Sequence, residues 1–253
     1  MLLNLWNTFL YEPFLNLLAL LVSVVPFHDL GIAVILLTIL VKFILFPLSQ
    51  KSLKGQAKVR EMQPELEKIK NSGKTKEEQA RLTFELYKKY NTNPFSGCLL
   101  ILIQIPIIFA LYYVFYKGLN FNPEVLYSFI PKPDYLNTIF LGLIDISQKS
   151  LVLAIIAGLS QFFVASFMPK PKKSENKDPN KMPSFAESLS ESMHVQMKYV
   201  FPFVVAFIAY SISGAIALYW ATSNIFGGLQ QMYINKKSKL LVTTSSIASD
   251  KVN

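Results

Sequence analysis

Long apolar runs, separated by short polar or charged segments, dominate the hydrophobic pattern of this 253-residue chain. A helix needs about 20 apolar residues to cross the hydrocarbon core of a bilayer, which is roughly 30 Å thick. Five segments approach this requirement: 30–50, 96–116, 150–168, 196–212 and 214–234. The pattern predicts an all-α polytopic membrane protein with a core of five transmembrane helices.

Charge decides how the last apolar stretch, 196–234, is divided. It is too long for one span, and Ser211, Ser213 and Gly214 mark a break. Six lysines lie in 169–198 and four in the tail after residue 235. Both regions should face the cytoplasm under the positive-inside rule, which requires two crossings between them. We therefore predict a cytoplasmic loop at 169–195 and a short cytoplasmic tail at 236–253.

The first 29 residues contain no Lys or Arg, so the basic region that opens a secretory signal is missing. Polar side chains recur every four residues on an otherwise apolar helix, at Asn4, Thr8, Glu12 and Asn16. This stripe predicts an N-terminal amphipathic helix that lies in the membrane interface and is kinked at Pro13. An additional membrane span is the alternative.

The charged segment 51–93 predicts an antiparallel helical hairpin in the cytoplasm. Residues 71–73 form a turn, Thr75 and Glu78 form a capping box, and Pro64 should bend the first helix. The base of the hairpin carries a basic cluster, namely Lys51, Lys54, Lys58 and Arg60. This cluster is either a solvated face that fixes topology or a contact surface for anionic lipid head groups or an incoming chain.

Lys42 lies deep inside the predicted span 30–50, and the five spans contain no carboxylate. A lysine at the bilayer centre costs about 2.5–3.5 kcal/mol, so such residues usually face a partner or a wet cavity. Other polar or amphipathic side chains in the spans are Thr38, Gln104, Tyr219, Trp220, Ser223 and Asn224. Together they predict a hydrated, positively charged groove. The simpler alternatives are packing, an interhelical hydrogen bond at Gln104, and snorkelling of Lys42 over about eight residues, or ~12 Å.

Composition excludes several function classes. The net charge is +9, but the basic residues cluster beside apolar runs, which indicates membrane orientation rather than nucleic-acid binding. Cys98 is the only cysteine, and His28 and His194 lack the spacing of metal ligands. The spans contain no HExxH motif, no pair of aspartates and no Ser–His arrangement. We therefore predict that the protein is not an enzyme and uses no metal or cofactor.

Four motifs point to a known family. The run NPFSGCLLILIQIPIIFALYYVF spans residues 93–115, and TILVKFILFPLSQKS and SGAIALYWATSNIFGGLQQ cover parts of the first and last spans. The fourth, MQPEL at 62–66, lies in the hairpin. In order and spacing they resemble the YidC/Oxa/Alb membrane protein insertases over roughly residues 5–235. The chain resembles a short bacterial form without a large extracytoplasmic domain.

The resemblance implies five core helices around a groove that opens to the cytoplasm and to lipid. Lys42 stands where the family has an arginine, Thr38 matches a groove threonine and Gln104 matches a glutamine of the second core helix. Tyr219 matches the first of two adjacent tyrosines, and Trp220 replaces the second.

The implied function is insertion and folding of newly made membrane proteins in the bacterial inner membrane. The implied partners are nascent membrane proteins and lipids, with the Sec translocon and the ribosome as further candidates. Two alternatives stay open: an assembly chaperone that acts only with a Sec translocon, and a small-molecule or ion transporter that uses Lys42 as an anion site.

Overall fold

The computed structural model describes residues 2–93, 96–116, 121, 124–133, 135–167, 192 and 195–250, and most of them are helical. The predicted loop 169–195 lies outside this part of the chain except for residues 192 and 195. The helices are α1 (Leu2–Trp6), α2 (Glu12–Val24), α3 (Leu30–Ile44), α4 (Phe46–Glu61), α5 (Gln63–Lys70), α6 (Lys76–Lys89), α7 (Ser96–Tyr116), α8 (Leu151–Ser166), α9 (Phe201–Ile212) and α10 (Gly214–Asp250). Two short strands, β1 (Ile139–Phe140) and β2 (Ile144–Asp145), pair antiparallel.

The N-terminal segment forms a nearly continuous helix over Asn4–Val24. Among the described residues it is the one unbent helix whose length and composition suffice to cross a membrane. A π-helical turn, Asn7–Tyr11, precedes Pro13 and accommodates its missing N–H, so the helix continues where a kink was predicted.

Asn16 does not extend a water-facing polar stripe, as the sequence had suggested. Its side chain is 2% exposed, and its Nδ2 donates to the carbonyl oxygens of Glu12 (2.8 Å) and Val125 (3.0 Å). Its Oδ1 accepts from the backbone N–H of Tyr127 at 2.6 Å. Asn16 therefore fastens α2 to the loop around residues 125–127, and the apolar neighbours of Asn16 pack into the main core.

The predicted span 30–50 is not one straight helix, because α3 ends at Ile44 and the chain then bends by 64° into α4. Pro47 lies in the first turn of α4. Since Pro lacks a donor and its ring clashes with the carbonyl four residues earlier, a straight helix cannot continue through this position. The bend places Lys42 in the last turn of α3 rather than in the middle of a span.

The charged segment forms a small helical unit with its own core. Helices α4 and α5 are separated at Met62, two residues before Pro64, and Met62, Leu66 and Leu86 are buried between the helices. The side chain of Thr75 caps α6 by accepting from the backbone N–H of Glu78 at 3.3 Å.

The C-terminal helices break beside the predicted position. Ser213 is extended (φ −162°, ψ 161°), and the first amides of α10 donate to the carbonyls of Gln148 (2.8 Å) and Ile146 (2.9 Å). Helix α10 then runs on to Asp250, so the residues after 235 begin as its continuation.

A β-hairpin closes the end of the bundle at which α3 starts. Asp29 caps α3 by accepting from the amides of Gly31 (2.7 Å) and Ile32 (3.1 Å), and its second oxygen accepts from Leu141 (2.8 Å). The sequence pattern predicts no strand here, so the hairpin is a finding of the structure. The ring and Cβ of Phe140 fill the space that a side chain at Gly31 would need.

Gly31→Ala should destabilise the protein by roughly 1–3 kcal/mol, because its Cβ would overlap Phe140 and force this rigid corner apart. Thermal unfolding in detergent, followed by helical circular dichroism, measures the loss. The matched control is Gly227→Ala in α10, where nothing lies within 4 Å of an added Cβ. There the gain in helix propensity, about 0.5–1 kcal/mol, should leave stability equal or higher. Equal melting temperatures for both variants would contradict the close contact.

Candidate functional site

Lys42 sits at the C-terminal end of α3, half-buried, beside the bend into α4. The carbonyl groups in the last turn of a helix carry partial negative charge, and a cation there is favoured by about 0.3–1 kcal/mol. Its chain neighbours Phe43 and Ile44 are 61% and 72% exposed. The ammonium therefore lies at an edge between the packed helices and the apolar outer surface.

Lys42, Gln104 and Tyr219 form one hydrogen-bonded chain across three helices. The Nζ of Lys42 donates to Oε1 of Gln104 at 3.3 Å, and Nε2 of Gln104 donates to the hydroxyl of Tyr219. Tyr219 is 1% exposed, and Ser223, one turn further along α10, is hydrogen-bonded to its hydroxyl. The amide of Gln104 thus bridges a buried hydroxyl and a partly buried ammonium.

Lys42 has a neutral partner and no acidic one within the described part of the chain. The ion pairs there join Lys74 to Glu78, Arg81 to Glu85 and Lys89 to Glu65, all in the hairpin. An ammonium has three donors, and the amide oxygen of Gln104 occupies one of them. The charge of Lys42 is therefore positioned but not neutralised by these residues.

The other predicted groove residues divide between two faces. Thr38 is fully buried and its hydroxyl donates to the Val34 carbonyl of its own helix at 2.7 Å, so it does not join the lysine network. Asn224 faces α8 instead, where its Nδ2 donates to the Ser160 hydroxyl at 3.0 Å. Trp220 is half-buried and packs against the main core.

A second polar contact, which the sequence pattern does not indicate, holds the bend. Ser49, in the first turn of α4, and Gln230 of α10 exchange hydrogen bonds of 2.9 and 3.1 Å. Gln230 is 7% exposed. Because the two residues are 181 positions apart, only the polar character of each was visible in the sequence. This pair fixes the direction in which α4 leaves Lys42.

The basic residues at the base of the hairpin share one open cleft. It is lined by Lys51, Lys54, Gly55, Lys58, Asn91, Thr92 and Asn93. Lys58 donates to the Asn91 carbonyl and the Thr92 hydroxyl donates to the Gly55 carbonyl, each at 3.3 Å, which ties α4 to the end of α6. The side chain of Arg60 lies outside the described residues.

A cluster of three side chains around the carboxylate of Glu65 holds the two hairpin helices together. Glu65 accepts from the hydroxyl of Tyr90 at 2.6 Å and from the ammonium of Lys89 at 2.9 Å. The Tyr90 hydroxyl, followed by Lys89, lowers the pKa of Glu65, and the same carboxylate raises the pKa of Lys89 and of Tyr90. The described residues contain no group of three or more His, Cys, Asp or Glu that could hold a metal ion.

Comparison with known proteins identifies the family. A family model described as "60Kd inner membrane protein" matches residues 21–241. The chain belongs to this family. It is thus a member of the YidC/Oxa group that its motifs resembled, and the description of the family supports a location in the inner membrane.

Curated relatives from several bacteria carry the name "Membrane protein insertase YidC". The chain is 36% identical to the protein from Clostridium tetani over 158 residues, which are 60% of this chain and 64% of the relative. It is 29% identical to that from Magnetococcus marinus over 233 residues, 92% of this chain and 36% of the relative. A third, from Anaeromyxobacter, is 38% identical over 56% of this chain and 24% of the relative. In each case the match covers less than two thirds of the relative's own length.

Gln104→Met and Tyr219→Phe should each lower stability, and their effects should not add, because each removes one side of the same buried hydrogen bond. Double-mutant cycles in membrane proteins give an average coupling of about 0.6 kcal/mol and a maximum near 1.7, so we expect a value in that range. Unfolding in mixed detergent micelles measures it. Thr222→Val is the control partner for Gln104→Met, since its hydroxyl bonds to the Leu218 carbonyl of its own helix. Coupling with Thr222 as large as with Tyr219 would contradict the specific bond.

The hairpin contact at Glu65 should depend on pH in two directions. A lowered pKa means that the contribution of Glu65 is present above its ordinary value of 4.5 and is lost as pH falls through the lower folded value. The raised pKa values of Lys89 and Tyr90 mean that their contribution is present below their ordinary values of 10.5 and 10.0 and is lost as pH rises through the higher folded values.

Hydrogen exchange of the α5 and α6 amides, corrected for the intrinsic rate at each pH, follows this contact. Glu65→Gln should lower protection at neutral pH and flatten both losses. Glu67→Gln, on the same helix, is the control and should keep the wild-type profile. An unchanged profile in Glu65→Gln would show that the cluster does not hold the helices together.

Proposed function

We propose that this chain is a membrane protein insertase and chaperone, which moves newly made membrane proteins into the bilayer and helps them fold. The observation that carries the proposal is the ammonium of Lys42, which a neutral amide positions beside the exposed apolar side chains of Phe43 and Ile44. Family membership and the name shared by the curated relatives support the same activity.

Lys42 would lower the barrier that a polar translocated segment meets in hydrocarbon. Two opposite unit charges 4 Å apart attract by about 4 kcal/mol at an effective dielectric constant of 20. Even a third of this, about 1.4 kcal/mol, is a tenfold change in rate. An acidic side chain in transit therefore gains a transient partner, while Gln104 keeps the ammonium in place between substrates.

The replacement of the family arginine by Lys42 changes the form of recognition. A guanidinium offers a fixed fork that binds a carboxylate through two bonds, whereas an ammonium is a compact charge on a flexible stem. We propose that Lys42 acts through charge and reach rather than through paired geometry. Gln104, Tyr219 and Ser223 form its polar support, whereas Asn224 faces α8, Trp220 packs against the core and Thr38 is buried in α3.

A short apolar helix would help by thinning the bilayer. The π-helical turn and α9 together run over Gln196–Ile212, which is about 25 Å at 1.5 Å per residue. This is less than the roughly 30 Å hydrocarbon core. Phe203 and Phe207 are 77% and 72% exposed, as expected for a lipid-facing surface. A short span draws the two membrane surfaces together, which shortens the path of a translocated segment.

The basic cleft at Lys51, Lys54 and Lys58 would receive anionic head groups or the incoming chain at the cytoplasmic side. This assignment includes the predicted five-span topology, with the hairpin and the C-terminus in the cytoplasm. Cooperation with a Sec translocon or a ribosome belongs to the same proposal. Insertion makes and breaks no covalent bond, so no enzyme activity or cofactor is part of it.

Lys42→Ala should lower the insertion of a single-span substrate with an acidic translocated tail by about tenfold, because the transient counter-charge is lost. Lys42→Arg should retain most of the activity. The measurement is protease protection of the tail in liposomes that contain this protein alone. A second substrate carries asparagines in place of the acidic residues. Lys42→Ala and Lys42→Arg should insert this neutral substrate equally well.

A matched control removes positive charge elsewhere on the protein. In Lys51→Ala/Lys54→Ala/Lys58→Ala the cleft loses its charge, and insertion of the acidic and the neutral tails should fall to the same extent. Equal loss for both tails in Lys42→Ala would reject the charge role of Lys42. No insertion by folded wild-type protein would reject autonomous insertase activity in favour of a chaperone that needs a translocon.

A further inference from the structure

Exposed apolar side chains cluster at the end of the bundle where α3 starts. We call this the apolar corner and define it as Val24, Phe27, Ile139, Leu141 and Leu143. Phe27 and Leu143 are 85% and 82% exposed. The corner consists of the connection between α2 and α3 and the turn of the β-hairpin. These segments are more than 110 residues apart in the sequence, and Asp29 joins them through its bond to Leu141.

Two of these exposed side chains stand on backbone conformations that L-residues rarely adopt. Phe27 has φ 58° and Leu141 has φ 51°, both in the left-handed region. Specific bonds hold the neighbouring chain, since Leu141 donates to the Asp29 carboxylate at 2.8 Å and a His28 ring nitrogen lies 2.9 Å from the Val22 carbonyl. Strained residues that persist at one place indicate a function. Here the strain presents a phenylalanine and a leucine outward.

The low number of charged residues in the corner suits the apolar layer of a membrane better than water. Residues 24–30 and 139–144 contain no Lys or Arg and a single carboxylate, Asp29. Asp29 is 3% exposed, and three backbone N–H groups bind it. Asp145, the next charge along the chain, is exposed just beyond the turn.

The position of the corner selects lipid over a protein partner. Val24, which is 67% exposed, ends the 21-residue helix Asn4–Val24 that is apolar and long enough to cross a membrane. The corner therefore continues the apolar surface of this helix past its end. The one carboxylate of the corner is buried and bound by three backbone N–H groups, so apolar tips are outermost, as a contact with lipid acyl chains requires.

We propose that the apolar corner is a lipid anchor, in which Phe27, Leu141 and Leu143 insert into the acyl boundary of the membrane leaflet at the N-terminal end of α3. Because Asp29 fastens the hairpin to the first turn of α3, the anchor sets the depth of that helix. Lys42 lies 12 residues further on, which is about 18 Å along the axis. The anchor thus sets the distance between the Lys42 ammonium and the membrane surface on the side opposite the corner.

Depth-dependent fluorescence quenching on the full chain in liposomes tests the anchor without any insertion assay. Leu143→Cys, in a Cys98→Ser background, carries an environment-sensitive fluorophore. The control position is Gln148→Cys, which is exposed and polar and lies five residues along the same loop. Each labelled protein must first match the wild type in melting temperature and elution volume.

We expect the probe at 143 to be quenched about twofold or more by nitroxide-labelled lipids relative to the probe at 148, with the order reversed for aqueous iodide. Quenching of both probes by iodide alone would overturn the anchor, since the corner would then face water. Protection of the probe at 143 from both quenchers would also overturn it, because a second copy of the chain would then cover the corner. Neither result bears on whether the protein inserts substrates.

Discussion

The architecture depends on the bend at Leu45. Pro47 prevents α3 from running straight into α4, and the 64° change in direction ends the apolar helix two residues after Lys42, at Ile44. The same bend lays α4 against α7 and α10, where Ser49 and Gln230 exchange hydrogen bonds. The position of Lys42 at the end of α3 and the direction of the helical hairpin that follows are thus set by one prolyl ring and one pair of side chains.

The bend changes the energetic setting of Lys42. A lysine in the middle of a continuous span would bear the full desolvation cost, but one in the last turn of a helix faces the partial charges of unpaired carbonyls. Gln104 adds a directed acceptor without cancelling the charge. A carboxylate in its place would have made a closed ion pair and left no uncompensated charge at this position.

Local signals predicted those parts of the fold that local chemistry determines. Thr75 caps α6, Pro64 begins a new helix and Ser213 separates α9 from α10, each beside the position that the sequence indicated. The bend was missed because the apolar pattern continues through residues 45–48 and masks the proline. Gln104 was predicted to be a groove residue, but its bridge between Lys42 and Tyr219 depends on how three helices pack.

Contacts between segments that are far apart in the sequence could not be predicted from it. Asp29 and Leu141 are 112 positions apart, and Asn16 binds a loop 109 positions later. An asparagine and an aspartate near an apolar helix have the same appearance in the sequence whether they face water or a backbone amide. Periodicity assigned Asn16 to water, and the structure shows that it is buried and fully bonded.

Helix α10 is 37 residues long, which corresponds to about 55 Å at 1.5 Å per residue. A bilayer with its head groups measures about 40–45 Å, so an upright α10 has to project beyond it. The segment that carries Tyr219 and the segment that projects belong to one continuous rod. Because α10 packs against α3 and α8, a tilt of α10 about these contacts would move the Tyr219 hydroxyl relative to Gln104 of α7.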